Sequence, residues 1–274
     1  MEWRDEGLLL SVRKHGESSA VVEVLTAEHG RHAGLVHGGG GTKLAATLQP
    51  GMQLSLVWRA RTEDQLGAYK VEPIRSRAPS IMRDRARLAA LNSVAALLLT
   101  TLSEREPCPD LYAGTIALAD ALADDAAHWP ALYARWEIAL LAALGFGLDL
   151  SRCAATGERS DLAYVSPRTG RAVSRKAGAA WADKLLPLPG VLISGRQPTM
   201  GGVREALRLS QYFLEKWMLP AFERSELPAA RARLMTVLET LTLSMPAPDT
   251  PRDDEVEWNE RMGVFREILI PRGQ

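Results

Sequence analysis

The spacing of apolar residues along this chain changes period once, near Pro79, and no other feature limits the fold as much. Before that point the runs are short and alternate. In Met52–Ala60, Leu54, Leu56 and Trp58 fall on one face of a strand while Gln53, Ser55 and Arg59 fall on the other. Gly7–Lys14, Ala20–Ala27, Ala33–Val36 and Gly67–Glu72 are further short runs, with a turn centred on Glu28-His29-Gly30. Five short strands are the count of a small closed or nearly closed barrel of OB type, and an SH3-like barrel gives the same pattern.

The first boundary is expected between Glu72 and Ser80, with Ser80 as an N-cap. Beyond it, Leu88, Leu91, Ala95, Leu98, Leu99 and Leu102 recur at helical spacing, and Asp110 after Pro109 can cap a second helix running to about Ala126. A third follows Pro130, carries Tyr133, Trp136, Leu140 and Leu144 on one stripe, and stops at Gly145-Phe-Gly147. From Ser151 to about Pro189 large apolar residues thin out, and Gly157, Pro167, Gly170 and Gly178 mark loops and short strands. Helical spacing returns at Val203, Ala206, Leu207, Phe213, Leu214 and Trp217, then from Pro228 to about Ser244. Pro246–Asp254 reads as a linker to an amphipathic segment, Val256–Ile270. The expected fold class is therefore α+β: a barrel over 1–77, helices over 78–150 and 190–245, an inserted module over 151–189, and a tail over 246–274.

Charge and cysteine content narrow the function classes. Lys plus Arg and Asp plus Glu each number 33, so any basic surface must be local. Cys108 and Cys153 are too few for a disulfide framework, which fits a reducing compartment. The charged start, Met-Glu-Trp-Arg-Asp-Glu, has the wrong order for a secretory signal, and the apolar run Leu88–Leu99 is too short to span a membrane. A cytoplasmic protein is expected.

Several segments together resemble the RecO family of DNA recombination and repair mediators. They are Trp3-Arg-Asp-Glu-Gly-Leu-Leu-Leu10 onward to Gly16-Glu17, Leu25-Thr-Ala-Glu-His-Gly-Arg-His-Ala-Gly34, Leu48-Gln-Pro-Gly51 and Trp58-Arg-Ala-Arg61 in the first part. In the helical part, Leu144-Gly-Phe-Gly-Leu-Asp-Leu150 followed by Cys153-Ala-Ala-Thr-Gly157 is the most specific, extended by Tyr164-Val-Ser-Pro167 and Gly170-Arg-Ala-Val173. The resemblance covers roughly residues 1–244. It implies an N-terminal OB-fold and a helical domain with an inserted module. It also implies binding of single- and double-stranded DNA, strand annealing, and action with RecR and single-stranded DNA-binding protein in loading a recombinase, without catalysis.

The candidate DNA-binding residues of the barrel are Arg13, Lys14, Arg31, Lys43, Arg59, Arg61 and Lys70, with Arg75 and Arg77 beside them. OB barrels track phosphates with cations and stack bases on aromatics, but Trp58 shares its face with Leu54 and Leu56 and so belongs to the core. The bland alternative is a solvated wall, since residues 1–77 hold 10 Lys plus Arg against 9 Asp plus Glu. In residues 152–178 the imbalance is larger. Arg152, Arg159, Arg168, Arg171, Arg175 and Lys176 face only Glu158 and Asp161. The resemblance implies that relatives hold zinc here with two pairs of cysteines. In this chain Thr156 takes the second position, no later cysteine follows, and the last histidine is His128, so no cofactor is expected and Cys153 is read as a small buried apolar residue.

Three other constellations carry less. His29, His32 and His37 lie around a β-turn, where their spacing does not converge ligands, and are read as surface or DNA-adjacent. Gly38-Gly-Gly-Gly-Thr-Lys43 inverts the Lys–Thr order of a phosphate loop and is read as an inter-strand loop. Asp124, Asp125, Asp253 and Asp254 are the acids a metal-dependent nuclease would use, but adjacent carboxylates do not face one another. A protein-binding adaptor with weak DNA affinity is the other rival. For a partner's acidic, apolar-tipped tail, Arg231 and Arg233 beside Leu227 and Leu234 are the candidates, with at most one meeting a pocket because residues two apart diverge on a helix.

Overall fold

A computed structural model describes residues 1–193 and 198–241. Strands β1 (Glu2–His15), β2 (Ser19–Thr26), β3 (Arg31–Val36), β4 (Gln53–Arg59) and β5 (Ala68–Arg75) form one sheet, with a short helix α1 (Thr42–Ala45) between β3 and β4. Strand β1 pairs antiparallel with both β2 and β4, and β3 pairs parallel with β5 at Leu35↔Ala68 and Val36↔Tyr69. The order β1-β2-β3-β5-β4 thereby closes into a barrel. A register shift between Leu9 and Ser11 lets the long β1 bend to serve two neighbours. The inward set is the one the alternation selects: Leu9, Val22, Val24, Val36, Leu54, Leu56 and Trp58 are buried. Trp58 satisfies its indole N–H on the Leu66 carbonyl at 3.0 Å.

The helices that follow are α2 (Ala78–Ile81), α3 (Arg85–Thr101), α4 (Pro109–Ala123) and α5 (Trp129–Ala143). Two expected caps are corrected. Asp84, not Ser80, caps α3, accepting from the Ala86 and Arg87 amides at 2.8 Å. Asp110 lies in the first turn of α4 after Pro109, and Cys108 holds the cap position without a side-chain hydrogen bond. Helix α5 is buried from Trp129 through Leu141 with no exposed stripe, including Arg135 and Glu137. Tyr133 donates to the Glu137 carboxylate at 2.8 Å, as does the Ser210 hydroxyl, and Arg135 donates to the Val191 carbonyl at 2.7 Å.

The inserted segment is a small sheet of β6 (Leu162–Val165), β7 (Ala172–Ser174) and β8 (Leu186–Pro187) in the order β7-β6-β8. Between β7 and β8 run α6 (Arg175–Gly178) and a 3-10 helix, Ala179–Lys184. Helix α7 (Met200–Phe213) continues through a π-turn, Leu214–Met218, into α8 (Leu219–Ala221), and α9 (Ala229–Thr240) ends the described chain. The expected segment Val256–Ile270 lies outside the described residues. Two compact units result. One holds Met1–Asp124 and Pro228–Val237, and the other holds Asp125–Leu227 and, of the described residues, 238–241. They divide the expected helical stretch 78–150, with α2–α4 in the barrel's unit and α5 in the second.

Candidate nucleic-acid interface

In the first unit two loops meet at one end of the barrel, where the Gly40 amide donates to the Ser18 carbonyl across the β1–β2 turn at 3.0 Å. This places Arg13 and Lys14 at the end of β1 near the loop that carries Lys43. Lys14 and Lys43 are exposed and, among the described residues, have no carboxylate within ion-pair reach, while Arg13, with 73% of its side chain exposed, lies 3.9 Å from Glu23. The glycine loop itself is not a phosphate cradle. Its Gly39, Gly40 and Gly41 amides donate to Val36, Ser18 and Gly38 carbonyls and are spent within the turn.

The remaining barrel cations separate by partner. Arg61 is exposed and without an ion pair among the described residues. Arg59 pairs with Glu2 at 2.8 Å and Lys70 with Glu72 at 2.9 Å, but these exposed pairs are worth about 0–1 kcal/mol, so a phosphate can displace the carboxylate. Arg31 differs. Its side chain is only 15% exposed, pairs with Glu23 at 2.6 Å and Glu104 at 3.5 Å, and donates to the Leu102 carbonyl at 3.0 Å. It is a structural tie within the unit. Arg77 is buried outright, 2.6 Å from Asp120 and 2.9 Å from the Gln53 side-chain oxygen, and Arg75 joins Asp120 at 2.8 Å.

The barrel's aromatics are packed rather than presented. Trp3 stacks on His29 with centroids 3.9 Å apart, and His29 reaches the Asp5 carboxylate at 3.1 Å. Tyr69 and His32 are buried together, oxygen to Nδ1 at 2.7 Å, which corrects the reading of His32 as a surface residue. Burial raises the Tyr69 hydroxyl far above the phenol range, so it keeps its proton and donates. Burial lowers His32 to about 4, helped by the nearby Arg105 charge, so the imidazole is a neutral acceptor. A side chain at Gly34 would lie 2.3 Å from the Tyr69 ring, so only glycine leaves room for this pair.

In the second unit, Arg152, Arg159, Arg168 and Lys176 are exposed and have no ion pair among the described residues. Arg171 pairs with Asp149 at 3.5 Å and Arg175 with Asp161 at 3.2 Å, both on the surface. Cys153 is buried, as expected, but it is not merely apolar. Its sulfur accepts from the Ser174 amide at 3.2 Å. Burial opposes the thiolate, yet the hydrogen bonds from Ser174 and Thr156 outweigh it and hold the thiol down at about 6. Thr156 bonds Glu158 at 3.2 Å and the Ser174 hydroxyl accepts from the Ala177 amide, so hydrogen bonds occupy a corner with one thiol among them. That donor set does not fit tetrahedral zinc.

The partner candidates divide by burial. Arg231 lies inside at 2% exposure, which removes it from any docking surface, and Arg233 is exposed. A shallow pocket the sequence did not reveal is lined by Leu186 and Pro187 of β8 and by Glu205, Arg208 and Leu209 of α7, segments distant in sequence. Asp124, a nuclease candidate, is engaged by Arg75 at 3.3 Å, and Asp253 and Asp254 lie outside the described residues. No group of three or more His, Cys, Asp or Glu positioned to hold a metal occurs among the described residues. Among them too, no helix is long and apolar enough to cross a membrane.

These features define a two-unit α+β protein with a closed N-terminal barrel and separate cation-bearing loops in each unit. Residues 1–77 match the family model for the N-terminal part of recombination protein O, and residues 82–223 match the model for its C-terminal part. The chain is 54% identical over 238 residues to the DNA repair protein RecO of Cereibacter sphaeroides, covering 87% of this chain and 98% of that one. It is 53% identical to the RecO of Ruegeria sp. over 87% of this chain and 98% of that protein, and 49% identical to that of Jannaschia sp. over 87% and 97%. The chain belongs to the RecO family of DNA repair proteins.

Proposed function

We propose that this protein is a non-enzymatic mediator of DNA repair and recombination in the cytoplasm, binding single and double strands through cations on both units and promoting annealing. The observation that carries the reading is the set of exposed lysines and arginines free of ion pairs among the described residues: Lys14, Lys43 and Arg61 on the barrel, Arg168 and Lys176 on the inserted module. Bringing two strands together requires neutralising phosphate repulsion while base edges stay free to pair, which such a surface supplies without reading sequence. The strand order with its one parallel pairing, β3 with β5, supports an OB-type barrel, and OB barrels bind single strands. Work with RecR and with single-stranded DNA-binding protein belongs to the same reading, with Arg233 and the Arg208 pocket as the places for an acidic, apolar-tipped tail.

The test is annealing of complementary oligonucleotides, bare and coated with single-stranded DNA-binding protein, alongside binding measured at low and high salt. The expected result is faster annealing in both cases, no strand cleavage with or without magnesium, and affinity that drops steeply with salt. Binding that is absent at low salt refutes the reading and favours the adaptor.

A further inference from the structure

Stacking of unpaired bases needs an aromatic ring open to solvent. The barrel does not offer one, since Trp58 and Tyr69 are buried and Trp3 is half-buried under His29. Among the described residues a single Phe, Tyr or Trp side chain is exposed: Trp181, at 57%. It stands in the 3-10 helix Ala179–Lys184, between the exposed small residues Ala180 and Ala182, so its sequence neighbours do not shield the ring. Tryptophan is the most costly residue to leave in water, because its large apolar area forgoes burial.

The charge around it selects the ligand. The Lys184 ammonium lies 5.2 Å from the indole centroid, within cation–π range, and Arg175 and Lys176 are exposed in α6 immediately before this turn. Lys176 has no ion pair among the described residues, Arg175 shares one with Asp161, and Asp183 is the acid of the 3-10 turn. An apolar protein surface gains nothing from lysines that it would have to desolvate. A nucleotide uses both parts, its base on the indole and its phosphates on the cations.

We propose that Trp181 is a base-stacking site for single-stranded nucleic acid, flanked by Lys176 and Lys184 as phosphate contacts. This rests on the DNA-binding reading above and assigns part of the work to the inserted module. Every base has a π face, so the site is indifferent to sequence. It is closed to bases stacked within a duplex.

The experiment compares full-length wild type, Trp181→Ala and Trp181→Phe on three labelled probes: an oligothymidylate, the same backbone with abasic sugars, and a duplex. Trp181→Ala should bind the oligothymidylate about tenfold more weakly, as expected for one lost stacked base. Its slope of log affinity against log salt should stay at the wild-type value, because no phosphate contact is removed. Affinity for the abasic strand and the duplex should be unchanged, thermal stability unchanged, and Trp181→Phe should recover most of the loss. If Trp181→Ala binds the oligothymidylate like wild type, or weakens equally on all three probes, the stacking site is refuted and the exposed indole serves another contact. Wild type that fails to bind any probe at low salt refutes the DNA-binding reading itself, and this proposal with it.

Discussion

His32 is an imidazole held neutral inside a barrel, and its partner explains how. Buried Tyr69 donates to it at 2.7 Å, and the rings of Trp3 and Trp58 lie 5.1 Å away on other sides. Protonation would place a charge in that box, next to Arg105 and His29, which is why its pKa is lowered to about 4 from 6.5. The linkage follows from those two values. Above about 6.5 the imidazole is neutral folded and unfolded, and the full stability is present. Between 6.5 and 4 the unfolded chain takes up a proton that the folded chain refuses, so stability falls with pH, by up to about 3 kcal/mol for this group at pH 4. Urea midpoints for wild type and His32→Asn at pH 7 and pH 4 check this. The variant should be weaker at pH 7 and lose less on acidification, and equal losses would show that carboxylates alone set the acid limb. The burial of His32 was legible. It falls in step with Gly34 and Val36, both inward, while Arg31, Ala33 and Leu35 face out. The three-residue spacing to His29 carries no such information, because it says nothing of which face of the strand His32 takes.

The β2–β3 turn shows how an element's end is fixed by another element. Gly30 has φ +59, and a Cβ there would lie 1.8 Å from the Glu106 carbonyl oxygen in the α3–α4 connection. That connection is tied down beside it. The Arg105 amide donates to the Arg31 carbonyl at 2.8 Å, and its guanidinium reaches the Glu63 and Gln65 carbonyls of the β4–β5 loop. Gly30→Ala therefore meets both left-handed backbone strain and a backbone clash. A loss of about 2–4 kcal/mol is expected, seen as a lower denaturant midpoint with an unchanged slope. Gly16→Ala, also at positive φ but with open space around it, should cost about 1–2 kcal/mol, and equal costs would remove the clash from the account. The turn was predicted from Glu28-His29-Gly30, and the change of period placed the passage from strands to helices. What spacing could not show was the cap at Asp84, because Ser80 and Asp84 are equally good capping residues and tertiary packing chooses between them. Nor could it show Trp181. A 3-10 turn has no apolar stripe of helical period, and an indole between alanines looks the same whether it packs inward or stands out.

A chain with no net charge must draw any affinity for a polyanion from where its charges are left unpaired, and this is decided only when the whole molecule is folded. Sequence alone made Arg31 and Lys43 equivalent. Folding pairs the first with Glu23 and Glu104 and leaves the second in water. Each free cation that meets a phosphate on a single strand contributes about 0.7 to the slope of log affinity against log salt. Removing Lys14 and Lys43 should thus flatten the slope by about 1.4, and removing Arg168 and Lys176 by a similar amount. Removing all four should flatten it by about 2.8 on a strand long enough to reach both sets. These are surface changes, expected to move stability by no more than about 0.5 kcal/mol. Arg31→Ala is the counterpart. It deprives two carboxylates and a carbonyl of their partner, so its expected effect is a loss of about 1–3 kcal/mol of stability with the slope unchanged in the fraction that remains folded. Anisotropy titrations over a range of salt, paired with denaturation of the same variants, read both quantities. A flattened slope in Arg31→Ala with intact slopes in the two lysine and arginine pairs would reverse the assignment.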